Sequence, residues 1–277
     1  MNDGPLSLSE TRELLARLSH MPKKWLGQNF LVDGNIVRKS LELGEVKPGD
    51  VVVEIGPGLG TLSRTLLGAG ADLHAVEADS TMVYHLQSSL QSRWPQSFHL
   101  IEGDAVEHPL ADLVNPPEGT FKVIANLPYA ISTPWIEAIC QGPLPSVMVL
   151  MLQREAAERL TADVGTKHWS AVTAQVQLAF EKTRVHPVPA QSFNPPPRVD
   201  SCLLVLKKRP QAQRFSQRAR EVARGLFTQR RKQVGSSAKK LFPGASDVTD
   251  WLNNLPNYGL TTQARPEDIP AEAWLNL

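Results

Sequence analysis

The chain has 277 residues, 42% of them hydrophobic and 21% charged, with a formal net charge of +1 at pH 7; this suits a folded chain with a sizeable core and excludes a disordered or fibrous one. No apolar stretch reaches the roughly 18 residues of a membrane span, and the first 24 residues lack a secretory apolar block, so a cytoplasmic chain with no membrane partner is expected. Cys140 and Cys202 stand alone in apolar segments with no CxxC and no histidine cluster, so they read as core residues, and neither a disulfide framework nor a metal site is expected.

At the start of the chain Leu14, Leu15 and Leu18 recur at helical spacing beside Arg12 and Arg17, but Asp3, Glu10 and Glu13 are acids that a mitochondrial presequence avoids. Short β-branched or apolar runs then alternate with helical patterns. Strands are predicted at 51–55, 73–76, 98–101, 121–125 and 147–152, with a last one at 203–206. Helices are predicted at 61–67, 81–93, 154–161 and 171–180, and beyond Pro210 at 215–227 and around 248–252. Such alternation implies an α/β domain with a mostly parallel sheet covered on both faces. The boundary to a helical C-terminal region is expected near residue 208.

Charge is distributed unevenly. Residues 47–206 carry 10 Lys/Arg against 16 Asp/Glu, whereas residues 207–240 carry 12 Lys/Arg against Glu221 alone. A solvated helix face usually interleaves both signs, so the second segment points to a polyanionic partner.

The chemistry concentrates at strand ends. Glu54-Ile55-Gly56-Pro57-Gly58-Leu59-Gly60 follows the first of these strands and opens a helix, where an open α/β sheet binds a nucleotide-like ligand. It departs from the dinucleotide fingerprint, because Thr61 stands at the third glycine and Pro57 removes an amide donor. S-adenosylmethionine carries no phosphate and tolerates that loss; a plain tight turn would also explain the glycines. The next strand ends in Glu77, spaced to accept from ribose hydroxyls, and the third in Asp104, placed to accept from an adenine amine. The fourth ends in Asn126-Leu127-Pro128-Tyr129. There the Asn126 side chain and the Leu127 carbonyl can accept the two hydrogens of an amine, Pro128 can fix the turn, and Tyr129 can stack on a flat base. A structural Asn-Pro turn with a core tyrosine is the alternative.

Together with Gln28-Asn29-Phe30-Leu31, Ser132-Thr133-Pro134 and the run Phe193-Asn194-Pro195-Pro196-Pro197-Arg198-Val199-Asp200-Ser201, these segments resemble the ribosomal RNA adenine dimethyltransferase family, in order from about Lys23 to Arg265. The bacterial small-subunit branch is the nearest likeness. The resemblance implies a Rossmann-like class I methyltransferase domain over 23–208, with its last strand antiparallel. It further implies a 1–22 extension and a small all-α, rRNA-contacting domain over 209–277. The implied reaction moves methyl groups from S-adenosylmethionine to the N6 amines of two adjacent adenines near the 3′ end of small-subunit rRNA, by a monomer acting on the pre-30S particle. It implies Gln28, Asn29 and Leu31 near the methionine end of the cofactor, Gly56 and Gly58 beneath it, Glu77 on the ribose, and Asp104 with Ala105 at the adenine. Asn126 would touch both cofactor and base, Leu127, Pro128 and Tyr129 would hold the base, and Phe193 would stack on its far face. Arg230, Arg231 and Lys232 would contact RNA.

Two departures stand out. Ala130 replaces the usual second aromatic, which would enlarge the base pocket, and His168-Trp169 replaces a Tyr-Gly pair, which would alter loop packing. Two rival readings share these residues: a drug-resistance methyltransferase acting on large-subunit rRNA, and a non-catalytic RNA-binding or transcription factor on the same scaffold. The segments around Arg230 and Glu267 favour the small-subunit group, and Glu77, Asp104 and Asn126 argue against lost catalysis.

Overall fold

The computed structural model describes residues 4–277, apart from the side chains of Lys24 and Tyr129. Helix α1 (Leu8–Arg17), the short strand β1 (Phe30–Leu31) and α2 (Gly34–Leu43) lead into β2 (Val51–Ile55), α3 (Thr61–Gly68), β3 (Asp72–Glu77), α4 (Ser80–Leu86) and β4 (Phe98–Glu102). Then come β5 (Phe121–Asn126), α5 (Ser132–Ile139), β6 (Val147–Gln153), α6 (Arg154–Leu160), α7 (Ala171–Ala179), β7 (Phe180–Val188), β8 (Phe193–Asn194) and β9 (Ser201–Lys208), followed by α8 (Gln217–Thr228), α9 (Val234–Leu241) and α10 (Ser246–Asn254).

The main sheet has the order β4-β3-β2-β5-β6-β9-β7. Strands β4, β3, β2, β5 and β6 run parallel, and β9 lies antiparallel to β6 from Val147↔Lys207 to Gln153↔Ser201. The fold class read from the sequence is what the chain adopts. Central strands buried on both faces must be apolar along their length, and β6, Val-Met-Val-Leu-Met-Leu-Gln, is buried up to its last residue. The strand order reverses between β2 and its neighbours β3 and β5, which opens a crevice beyond their carboxyl ends. Cys140 and Cys202 are buried core residues.

Four of the elements that escape the sequence reading do so for plain physical reasons. Strand β7 is an edge strand whose middle, Glu181 to Val185, is exposed, so it carries charges in place of an apolar alternation. Helix α2 shows Ile36, Val37, Ser40 and Leu43 on its buried face behind an Asp33 cap, a signal short enough to pass for loop. Strands β1 and β8 pair over two residues only, too few for any period.

Contacts divide the chain into one compact unit of residues up to 157 with 182–208, and another of 158–181 with 209–277. The segment 158–181, expected in the first domain, thus groups with the C-terminal helices. Trp169, Ala174 and Leu178 share an apolar core with Phe215, Val222, Trp251 and Trp274. Trp169 is fully buried and its Nε1 donates to the Ile269 carbonyl, so the His168-Trp169 departure supplies a core anchor. The described part of the expected N-terminal extension is not a loose tail, since Leu6, Leu14 and Leu15 pack against Phe30, Leu59 and Met82 in the first unit; residues 1–3 lie outside the described residues. No described helix is long and apolar enough to cross a membrane.

Candidate active site

A cavity of about 590 Å³ opens at the carboxyl ends of β2, β3, β4 and β5, within the usual small-molecule range of about 300–1,000 Å³. The loop after β2 is shaped by glycines that the backbone requires. Gly58 has φ +57°, and its amide donates to Glu77 Oε2 at 2.8 Å. Gly60 caps α3 at φ +77°, where a Cβ would stand 2.8 Å from both Leu86 and Leu90. Gly56, also lining the cavity, has φ +66°.

Glu77 ends β3 and reaches the cavity with its carboxylate held by two backbone amides, Gly58 on one oxygen and Asp79 on the other at 2.9 Å. Burial raises its pKa above the ordinary carboxylate value, outweighing those two hydrogen bonds. Beneath the loop, Glu54 is completely buried and accepts from the Ser63 hydroxyl at 2.7 Å. Burial pushes its pKa up to about 8, with Glu77 adding to the effect, so Glu54 is largely protonated at neutral pH. Asp104, after β4, is exposed at the rim; its Oδ1 accepts from the Val106 amide, and buried Ala105 lines the wall beside it.

Asn126, at the end of β5, donates through Nδ2 to the Asn29 carbonyl at 3.1 Å. A carbonyl can only accept, so this contact fixes the amide orientation and leaves Oδ1 as the acceptor presented by a half-buried side chain. Leu127 and Pro128 follow it along the cavity wall, and Ala130 contributes only a methyl group there. The Tyr129 side chain, expected to stack on a base, lies outside the described residues.

Gln28, Asn29 and Leu31 also line the cavity. The Gln28 amide, however, is engaged by protein: its Oε1 accepts from His20 and from the Lys23 amide, and its Nε2 donates to Asp79 Oδ2 at 2.8 Å. Lys23 adds an ion pair to Asp79 at 3.0 Å. Although burial opposes it, the bonds from Gln28 and Lys23 hold the Asp79 carboxyl below its ordinary pKa. Asp79 is thus the anchor of the wall that carries Gln28 and Asn29, a role the sequence reading did not assign. Its position before Ser80-Thr81 marks it as a helix cap, which it is, but the tie to Gln28 spans 51 residues and has no local signal.

The family model for ribosomal RNA adenine dimethylases matches residues 19–277. A ribosomal RNA small subunit methyltransferase A from Opitutus terrae is 54% identical over 272 residues, covering 98% of this chain and 97% of its relative. The chain belongs to the ribosomal RNA adenine dimethylase family. Among solved structures of similar chains, a dimethyladenosine transferase from Plasmodium falciparum superposes with a TM-score of 0.70 at 26% identity, covering 89% of this chain and 95% of that one. The 23S rRNA methyltransferase ErmE gives 0.61 at 25% identity, covering 90% and 97%.

Two expectations drawn from the likeness to this dimethylase family need correction. Phe193 is not brought to the cavity: β8 pairs it with Leu31, and it is 2% exposed within the sheet core. Leu31 takes the cavity side of that pair. Arg230 is not a free cation either, because its guanidinium donates to Glu267 at 2.5 Å and to the Thr166 carbonyl at 2.9 Å. Arg218 is likewise held by Asp247 and Glu221. Arg231 and Lys232, just before α9, and Lys239 and Lys240, in its last turn, are exposed.

Proposed function

We propose that this chain transfers methyl groups to the N6 amines of two adjacent adenines near the 3′ end of small-subunit rRNA, giving N6,N6-dimethyladenosine, as a monomer acting on the pre-30S particle. The Asn126 amide, locked by the Asn29 carbonyl with its oxygen left to accept, carries this reading. S-adenosylmethionine would supply an electrophilic methyl group, with Glu77 holding the ribose and Asp104 the adenine. The donor and acceptor set fits such a ligand: carboxylates at successive strand ends suit an adenosine, and a glycine loop with Pro57 in place of one amide does not need a phosphate.

An adenine N6 amine is a weak nucleophile because its lone pair is delocalised into the ring. Asn126 Oδ1 and the Leu127 carbonyl accept its hydrogens, localise the lone pair and aim it into the cavity. The Asp79 tie to Gln28 keeps the Asn29 carbonyl, and through it Asn126, in register. No described group needs to act as a strong base, since the methylated ammonium formed by the transfer is acidic enough to lose its proton to water.

The test is methylation of under-methylated small-subunit particles by the purified chain with labelled methyl donor, followed by mapping of the modified adenines. Dimethyladenosine at two neighbouring small-subunit positions is expected. Label confined to large-subunit rRNA would favour the drug-resistance reading, and no transfer to either RNA would sink the proposal.

Docking a structured rRNA requires phosphate contacts that position it before any base is read. If Arg231, Lys232, Lys239 and Lys240 each reach a phosphate, log K for RNA should fall against log salt with a slope of about −3 to −4, taking roughly 0.7–0.9 per contact. Changing all four to Glu should flatten that slope and leave S-adenosylmethionine affinity unchanged. Arg230 is left out of the set, because a carboxylate there would face Glu267. A folded variant with the parental slope would place the RNA grip elsewhere.

A further inference from the structure

Asp72, His74 and His99 form a cluster that the reaction does not use. Asp72 and His74 are two residues apart on β3 and therefore share a face of the sheet, and the parallel register sets His74 directly beside His99 of β4. The two imidazoles stack with centroids 4.4 Å apart at 25°, and His99 Nε2 lies 2.8 Å from Asp72 Oδ1. One ligand atom from each of the three residues falls within 4.8 Å of the others, and this is the one such group among the described residues. The Asp72 and His99 side chains are 42% and 44% exposed, so an ion has a direct path from solvent.

The geometry points to a divalent transition-metal site made of these three side chains. Two imidazoles and one carboxylate suit a borderline ion of the Zn²⁺ or Co²⁺ kind and do not suit Mg²⁺ or Ca²⁺, which take oxygen ligands. Three protein ligands on a sheet edge leave the remaining positions to water. The site clips β4, an edge strand, onto β3 three residues before the Glu77↔Glu102 pair, so the ion would brace the two strands whose far ends carry Glu77 and Asp104. Its role is to hold these strands together, and methyl transfer does not pass through it.

Isothermal titration of the full chain with ZnCl₂ tests this, with Co²⁺ absorption reporting imidazole ligation. One ion per chain is expected, with a rise in Tm on saturation. His74→Ala and His99→Asn should each weaken Zn²⁺ at least about tenfold, the lower bound even for outer-shell changes at metal sites. S-adenosylmethionine affinity without metal should not move. His99→Asn is an exposed edge-strand change that keeps the fold testable should His74→Ala fail to fold. A parental isotherm indistinguishable from that of His99→Asn would overturn the assignment. A stoichiometry of half an ion per chain would also overturn it, since the ion would then lie between two copies.

Discussion

Replacing Asn126 with Ala should lower the single-turnover rate of rRNA methylation by about 100- to 1,000-fold, the usual cost of removing one preorganised transition-state contact. The fold should survive, because the side chain is half-buried at the cavity wall, where it donates to the Asn29 carbonyl. Cofactor affinity should change far less than the rate, since the cavity retains Glu77, Asp104 and the glycine loop. Asn126→Asp separates acceptance from orientation. It keeps an acceptor oxygen but sets a second one against the Asn29 carbonyl, so the locked orientation is lost and the rate should still fall. Parental single-turnover rates in a folded Asn126→Ala variant would remove Asn126 from the chemical step. A rate loss that tracks weakened cofactor binding would instead make it a cofactor ligand.

Much of this site was legible because its parts sit at the ends of strands that announce themselves. Apolar runs at 51–55 and 121–125 need no tertiary information to be recognised, and the residues following them, Gly56 and Asn126, inherit a known location in an α/β sheet. What stayed hidden depends on pairing over long separations. Nothing around Asp79 reveals that it binds Gln28, and nothing around Phe193 reveals that β8 will turn it into the core opposite Leu31. The His74–His99 contact is set by strand register, which no spacing in the chain encodes. Charge misled for a related reason. The run from Lys207 to Lys240 looks uniformly available, yet Lys207 pairs with Glu45, Arg218 with Asp247 and Arg230 with Glu267, each a partner distant in sequence.

Glu77→Gln should weaken S-adenosylmethionine binding by at least about tenfold, equivalent to about 1.4 kcal/mol and in line with losing a charge-assisted hydrogen bond. The substitution alone would not prove ribose recognition. Glu77 also accepts the Gly58 and Asp79 amides, and a glutamine would turn its own NH₂ toward one of them and loosen the loop. A cofactor product analogue lacking the ribose hydroxyls separates the two effects. If Glu77 accepts from those hydroxyls, their removal should cost the parent about as much as Glu77→Gln does, and should cost the variant little. If Glu77 only shapes the loop, the two losses should add. The raised pKa of Glu77 supplies a second readout. Hydroxyl donors favour the ionised form, so binding should lower its pKa and release a proton. Affinity should therefore fall as pH drops through the Glu77 titration, by at most tenfold per pH unit. The Gln variant should lack that component, leaving only contributions from neighbours such as Asp79. A parental affinity that stays flat as pH falls, together with additive losses, would assign the ribose to another group.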